Sequence, residues 1–71
     1  MKFTKHALIR MEQRGIDEYS IESAINDPDE TIGSFGRRKL ARKIINNKIL
    51  EIVYIEEDDI IVITVYWLEE I

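Results

Sequence analysis

Apolar positions in the first third of the chain recur at helical spacing. Between Thr4 and Gly15 there is neither Gly nor Pro, and Ala7, Leu8 and Met11 fall on one side of a helix over about residues 5–14. Thr4 supplies an N-cap side chain and Gly15 a left-handed stop. After Ile16, Asp17 caps a second helix over about 18–26. Its first turn carries Glu18, matched to the helix dipole, and its apolar stripe is Ile21, Ala24 and Ile25. Asn26, Asp27 and Pro28 end it. A link of about three residues predicts that the helices form a compact corner.

From Glu30 onward the period changes from helical to extended. Thr31 and Ile32 predict a short strand over about 30–34, ending in the Gly33 to Gly36 turn region. Residues 37–45 and 48–56 read as a hairpin around Asn46-Asn47, two residue types that tolerate positive φ. Glu57, Asp58 and Asp59 make a polar turn. Ile60 to Trp67, almost all β-branched or aromatic, is the strongest strand signal and predicts a central position over 60–67.

The expected fold is a single α+β domain over residues 1–71, with two N-terminal helices packed on a three- to four-stranded antiparallel sheet. A two-residue loop at Asn46-Asn47 sets Arg42 opposite Glu51 and Ile44 opposite Ile49. An acidic turn over 56–59 then sets Glu51 opposite Thr64, with Tyr66 beside Ile49 on the same face. The other face of the last two strands would be Leu50, Ile52, Tyr54, Ile61, Ile63, Val65 and Trp67, uniformly apolar and suited to helix packing. One β-bulge would invert part of this register.

Composition narrows the class. A chain of 71 residues has room for one core, and a core this small is marginally stable alone. Cysteine is absent, which removes disulfides and thiolate metal ligation and favours a cytoplasmic setting. No stretch approaches the roughly 20 apolar residues of a membrane span, and Met1 to Lys5 is not followed by an apolar run of signal-peptide length. The richness in Ile, Glu, Lys and Arg resembles that of thermophile proteins.

The net charge is −4, yet charge is segregated. Residues 1–16 carry four cations and one anion, and residues 37–48 six cations and no anion; 17–30 and 51–70 hold six and seven acids and no base. Folding that unites the basic segments would build a cationic surface on an acidic protein; alternatively, basic and acidic segments pair with each other.

The single histidine, His6, precedes Arg10 by four residues, and Arg10 precedes Arg14 by four, so the three form a ridge along the flank of the first helix's apolar stripe. Arginine offers a fork of donors to phosphate, and histidine is the side chain most readily poised for proton transfer near neutral pH. The alternative is a solvated flank with Arg10 and Arg14 paired to acids of the second helix. Arg37, Arg38, Lys39, Arg42 and Lys43 form the densest basic run. Arg38 and Arg42 share a face and suit a second phosphate, although cations also protect edge strands. Tyr66 and Thr64 lie on the polar face, where a hydroxyl can orient a phosphate. Trp67 and Tyr54 read as packing residues. With one histidine and no glycine-rich phosphate loop, neither a metal nor a cofactor is expected.

Phe3-Thr4-Lys5-His6-Ala7, Arg10-Met11 and Arg14-Gly15-Ile16 resemble the opening signature of a small prokaryotic family of unknown function. The resemblance continues through Asn26-Asp27-Pro28-Asp29-Glu30, Gly36-Arg37-Arg38 and Val62-Ile63-Thr64-Val65-Tyr66, nearly the whole chain. That family is similar in architecture to the RelE and BrnT ribonuclease toxins, which cut RNA without a metal. The resemblance implies a toxin-fold endoribonuclease with RNA as substrate and a cognate antitoxin as partner. In that reading His6, Arg10, Arg42 and Tyr66 are catalytic, and Arg14, Arg37, Arg38 and Thr64 bind RNA phosphate. The other readings are a non-catalytic interaction module, such as a homodimer, and a small nucleic-acid-binding regulator.

Overall fold

The computed structural model describes residues 1–33 and 36–68, and within them the chain forms one short strand, two consecutive helices and four further strands. β1 (Lys2–Phe3) leads into α1 (Lys5–Arg14) and α2 (Glu18–Asn26), followed by β2 (Glu30–Ile32), β3 (Arg38–Ile45), β4 (Lys48–Glu56) and β5 (Ile60–Leu68). The strands form one sheet in the order β1-β5-β4-β3-β2.

This corrects the expected architecture. The sheet has five strands rather than three or four, and it is mixed rather than antiparallel, because β1 precedes the helices and runs parallel to β5. Lys2 lies opposite Ile61 and Phe3 opposite Val62. A two-residue strand has no alternation to read, so the hydrophobic period could not reveal it. β1 is held by Phe3, which packs against the core, and by the Thr4 N–H, which donates to the Val62 carbonyl at 3.0 Å. β2 ends at Ile32; Ser34, the end of the strand expected there, lies with Phe35 outside the described residues.

Both helix termini are set by local chemistry. The Thr4 hydroxyl accepts from the Ala7 N–H at 3.0 Å, and Gly15 closes α1 at φ 62°, a conformation that suits glycine. Asp17 accepts from the Ser20 N–H at 2.8 Å and starts α2. α1 packs on β5, and α2 on β3 and β4. Ala7 is fully buried and Met11 packs beside it, but Leu8, expected in the same stripe, is exposed. It lies about 100° round the helix from Ala7, on the side away from the sheet.

The β3–β4 hairpin turns at Asn46 and Asn47, both at positive φ, and sets Arg42 opposite Glu51 and Ile44 opposite Ile49. The β4–β5 register differs from expectation by two slips of one residue. The loop is Glu57–Asp59, so that Glu56 faces Ile60, and a bulge interrupts the ladder between Val53 and Tyr54. Glu51 therefore faces Tyr66, not Thr64, which lies opposite Val53. Two slips restore the original face, so Thr64 and Tyr66 stay on the polar side as expected. Nearer the loop only one slip has acted, so Val62, not Ile61 or Ile63, joins the helix-packed core.

That core consists of Ala7, Ile16, Ile21 and Ala24 against Ala41, Leu50, Ile52, Tyr54, Val62 and Val65. Each large aliphatic residue there contributes about 1.5–3 kcal/mol relative to exposure. The opposite face carries no helix. Across it run two rows, Ile32, Leu40, Val53 and Thr64, then Glu30, Arg42, Glu51 and Tyr66.

Three backbone groups left over at the two sheet edges are taken up by the chain's own side chains. β1 covers only Ile61 and Val62 of β5; beyond it, the Ile63 carbonyl accepts from the Thr4 hydroxyl at 2.8 Å and the Val65 carbonyl from Arg14 Nη1 at 2.8 Å. On the far edge, the Ile44 N–H donates to Asp29 Oδ2 at 2.8 Å. Such groups no longer offer a template for a further strand.

Candidate active site

α1 lies along the half of β5 that β1 leaves uncovered, and an open cavity of about 460 Å³ runs between them. His6, Arg10 and Arg14 line it from α1, and Thr64, Tyr66 and Trp67 from β5. The helical spacing of four delivers the first three side chains to one wall. On β5, Thr64 and Tyr66 belong to the helix-free face and Trp67 to the helix-packed face, so the cavity wraps the strand's edge.

Two ties fix this geometry. Arg14 reaches the Val65 carbonyl with Nη1, and the Trp67 indole Nε1–H returns a bond of 3.0 Å to the Arg14 carbonyl. Arg10 donates from Nη1 to Gln13 Oε1 at 2.7 Å, and its Nε–H lies 3.4 Å from His6 Nε2, a long approach in which the imidazole is the acceptor. Among the described residues no acid lines the cavity. Among the described residues neither Arg10 nor Arg14 forms an ion pair, so the alternative of pairing with acids of α2 is not what the structure shows.

The strand cations have a different fate. Arg42 Nε donates to Glu51 at 2.5 Å and its Nη1 to Glu30 at 3.2 Å. The bond that Arg42 donates to Glu51 is the largest cause holding the guanidinium's pKa above its ordinary value; burial opposes it and the bond to Glu30 adds to it. Arg42 lines a separate depression with Asp29, Glu30, Lys43, Ile44 and Ile49. Arg37 pairs with Glu57, Lys39 with Glu56 at 2.8 Å, and Lys43 with Asp27 at 3.4 Å. Arg38 is exposed on the helix-free face, opposite Ile55.

The structure thus unites His6, Arg10, Arg14, Thr64 and Tyr66, and leaves Arg37, Arg38 and Arg42 outside that cavity. Of the two alternatives for the basic segments, the strand cations follow pairing rather than union at the cavity, because the acids of β2, β4 and the loop after it hold most of them. Sequence reasoning missed Trp67 as a wall of the site. Its apolar face was legible, but not its place just beyond the C-terminal end of α1, where packing leaves the residue partly exposed. Among the described residues no group of three or more His, Asp or Glu is placed to hold a metal ion.

A family model described as a domain of unknown function (DUF4258) matches residues 3–67. The chain belongs to the DUF4258 family. The match includes every residue that lines the cavity, so the site belongs to the DUF4258 domain itself. No curated protein and no solved structure matches the chain.

Proposed function

We propose that this DUF4258 domain is a metal-independent endoribonuclease of the toxin class. The observation that carries the reading is the convergence of one histidine, two arginines and two hydroxyl side chains on one cavity in which, among the described residues, no acid lines the wall and neither arginine has a carboxylate partner. A phosphodiester needs such a set: a proton acceptor, positive charge for the phosphoryl oxygens, and a donor for the leaving oxygen. His6 takes the proton of the ribose 2′-hydroxyl as that oxygen bonds to the adjacent phosphorus. Arg10 and Arg14 stabilise the charge that grows on the non-bridging oxygens. The bond from phosphorus to the 5′-oxygen breaks, and Tyr66 supplies the proton that oxygen needs, while Thr64 positions the phosphate. The products are a 2′,3′-cyclic phosphate and a 5′-hydroxyl, and water resets both proton carriers. The resemblance to the RelE and BrnT toxins is part of this proposal and supports it through chemistry alone.

Arg42, held by Glu51 and Glu30, has no part in this catalytic set. Inducible expression of wild type beside His6→Ala tests the reading. Growth arrest with RNA fragmentation in wild type alone is the expected result, and equal behaviour of the two proteins contradicts it.

One observation favours a second role for the same molecule. The helix-free sheet face exposes Ile44 by half and leaves Ile32, Leu40, Ile49, Val53 and Ile55 partly exposed around the Arg42–Glu51 pair. Such a patch suits a protein partner, an antitoxin or a second copy. Light scattering tests the second copy: a dimer supports it, and a monomer at working concentration removes it.

A further inference from the structure

Arg37, Lys39, Arg42 and Lys43, away from the cavity, each hold a carboxylate. Lys48, which begins β4, is exposed and forms no ion pair among the described residues. Its Nζ lies 5.7 Å from the centroid of the Trp67 ring, the ring that closes one side of the cavity. Arg10, Arg14, Trp67 and Lys48 thus extend the His6 cavity outward as a path of three cations and one aromatic plane.

We propose that this path is a second subsite, which takes the nucleotide adjoining the cleaved phosphodiester: its base stacks on Trp67 and its outer phosphate meets Lys48. The inference rests on reading the His6 cavity as an RNA-cleaving site and specifies the substrate as single-stranded RNA. Three features support it. The indole N–H is already satisfied by the Arg14 carbonyl, which fixes the plane of the ring and leaves its π-face to act. The Lys48 ammonium itself is exposed and its contact with the partly buried ring is long at 5.7 Å, so it is weakly held and can move to a phosphate as a base arrives. A base paired within an A-form duplex cannot reach such a plane, whereas every unpaired base has a face to stack.

Trp67 is the chain's only tryptophan, so its fluorescence reports on the subsite without a label. The probe is a tetra-adenylate with 2′-O-methyl groups, which lacks the attacking hydroxyl and stays intact; an abasic phosphodiester tetramer of equal charge is the control. The tetra-adenylate should quench Trp67 saturably and the abasic tetramer should not. Lys48→Gln should lower the slope of log affinity against log salt by about 0.7, the loss of one single-strand phosphate contact. Trp67→Leu, checked for folding by circular dichroism, should weaken tetra-adenylate binding roughly 5- to 150-fold. If Trp67→Leu does not fold, quenching and the Lys48→Gln slope decide alone. Equal quenching by both tetramers, or binding by anisotropy without quenching, overturns the subsite; cleavage of unmodified RNA in that case leaves the catalytic reading standing. Failure of wild type both to cleave RNA and to bind either tetramer overturns the catalytic reading, and the subsite falls with it.

Discussion

Arg42 and Glu51 face each other across β3 and β4, with Nε 2.5 Å from the carboxylate, on the sheet face that no helix covers. Glu51 is only 2% exposed, so little water can replace that partner. Removing the cation from a buried pair leaves an uncompensated carboxylate, whereas an exposed pair contributes little. Arg42→Ala should therefore lower the melting midpoint clearly more than Lys39→Ala, whose partner Glu56 is exposed. Equal shifts would show that Glu51 finds compensation elsewhere.

Thr4 joins three elements: its hydroxyl caps α1, bonds the Ile63 carbonyl, and sits next to β1. Thr4→Val keeps the shape and deletes the hydroxyl. The expected cost is about 1–2 kcal/mol, from a lost cap and a lost hydrogen bond. A domain of this size should then melt lower by about 4–8 °C per kcal/mol. Thr4→Ser should recover most of the loss, and a Thr4→Ser protein as unstable as Thr4→Val would contradict this account.

Asp17 links stability to pH. Hydrogen bonds from Ser20 hold its carboxyl below the usual carboxylate range. A group whose folded-state pKa is lowered stabilises the fold above its unfolded pKa and loses that contribution as pH falls through the folded value. Asp17→Asn keeps a capping oxygen but cannot titrate. The difference in melting midpoint between wild type and Asp17→Asn should be largest at neutral pH and shift against wild type on acidification. A difference independent of pH would remove Asp17 from the linkage.

Much of this arrangement was legible because it is local. Thr4, Gly15 and Asp17 mark helix ends by capping chemistry, and Asn46-Asn47 marks the hairpin by positive φ. The flank of His6, Arg10 and Arg14 follows from a spacing of four. What was not legible depends on tertiary register. β1 has two residues and is defined by β5, and the bulge at Val53 and Tyr54 leaves no compositional mark. Arg42 was expected at the site; its place opposite Glu51 was legible from the hairpin, but Glu30 of β2, which also holds it, was not. Trp67 belongs to the site only because α1 ends beside it.

The chemistry of the His6 cavity is tested most directly by the ends of the RNA it produces. Purified wild type, incubated with unstructured RNA in the presence of a chelator, should yield fragments with 2′,3′-cyclic phosphate and 5′-hydroxyl termini, read by mass spectrometry. His6→Ala, folded by circular dichroism, should lose about 100- to 10,000-fold in rate, the range of general acid–base catalysis. Fragments with 3′-hydroxyl ends, or an undiminished rate in His6→Ala, would contradict the account.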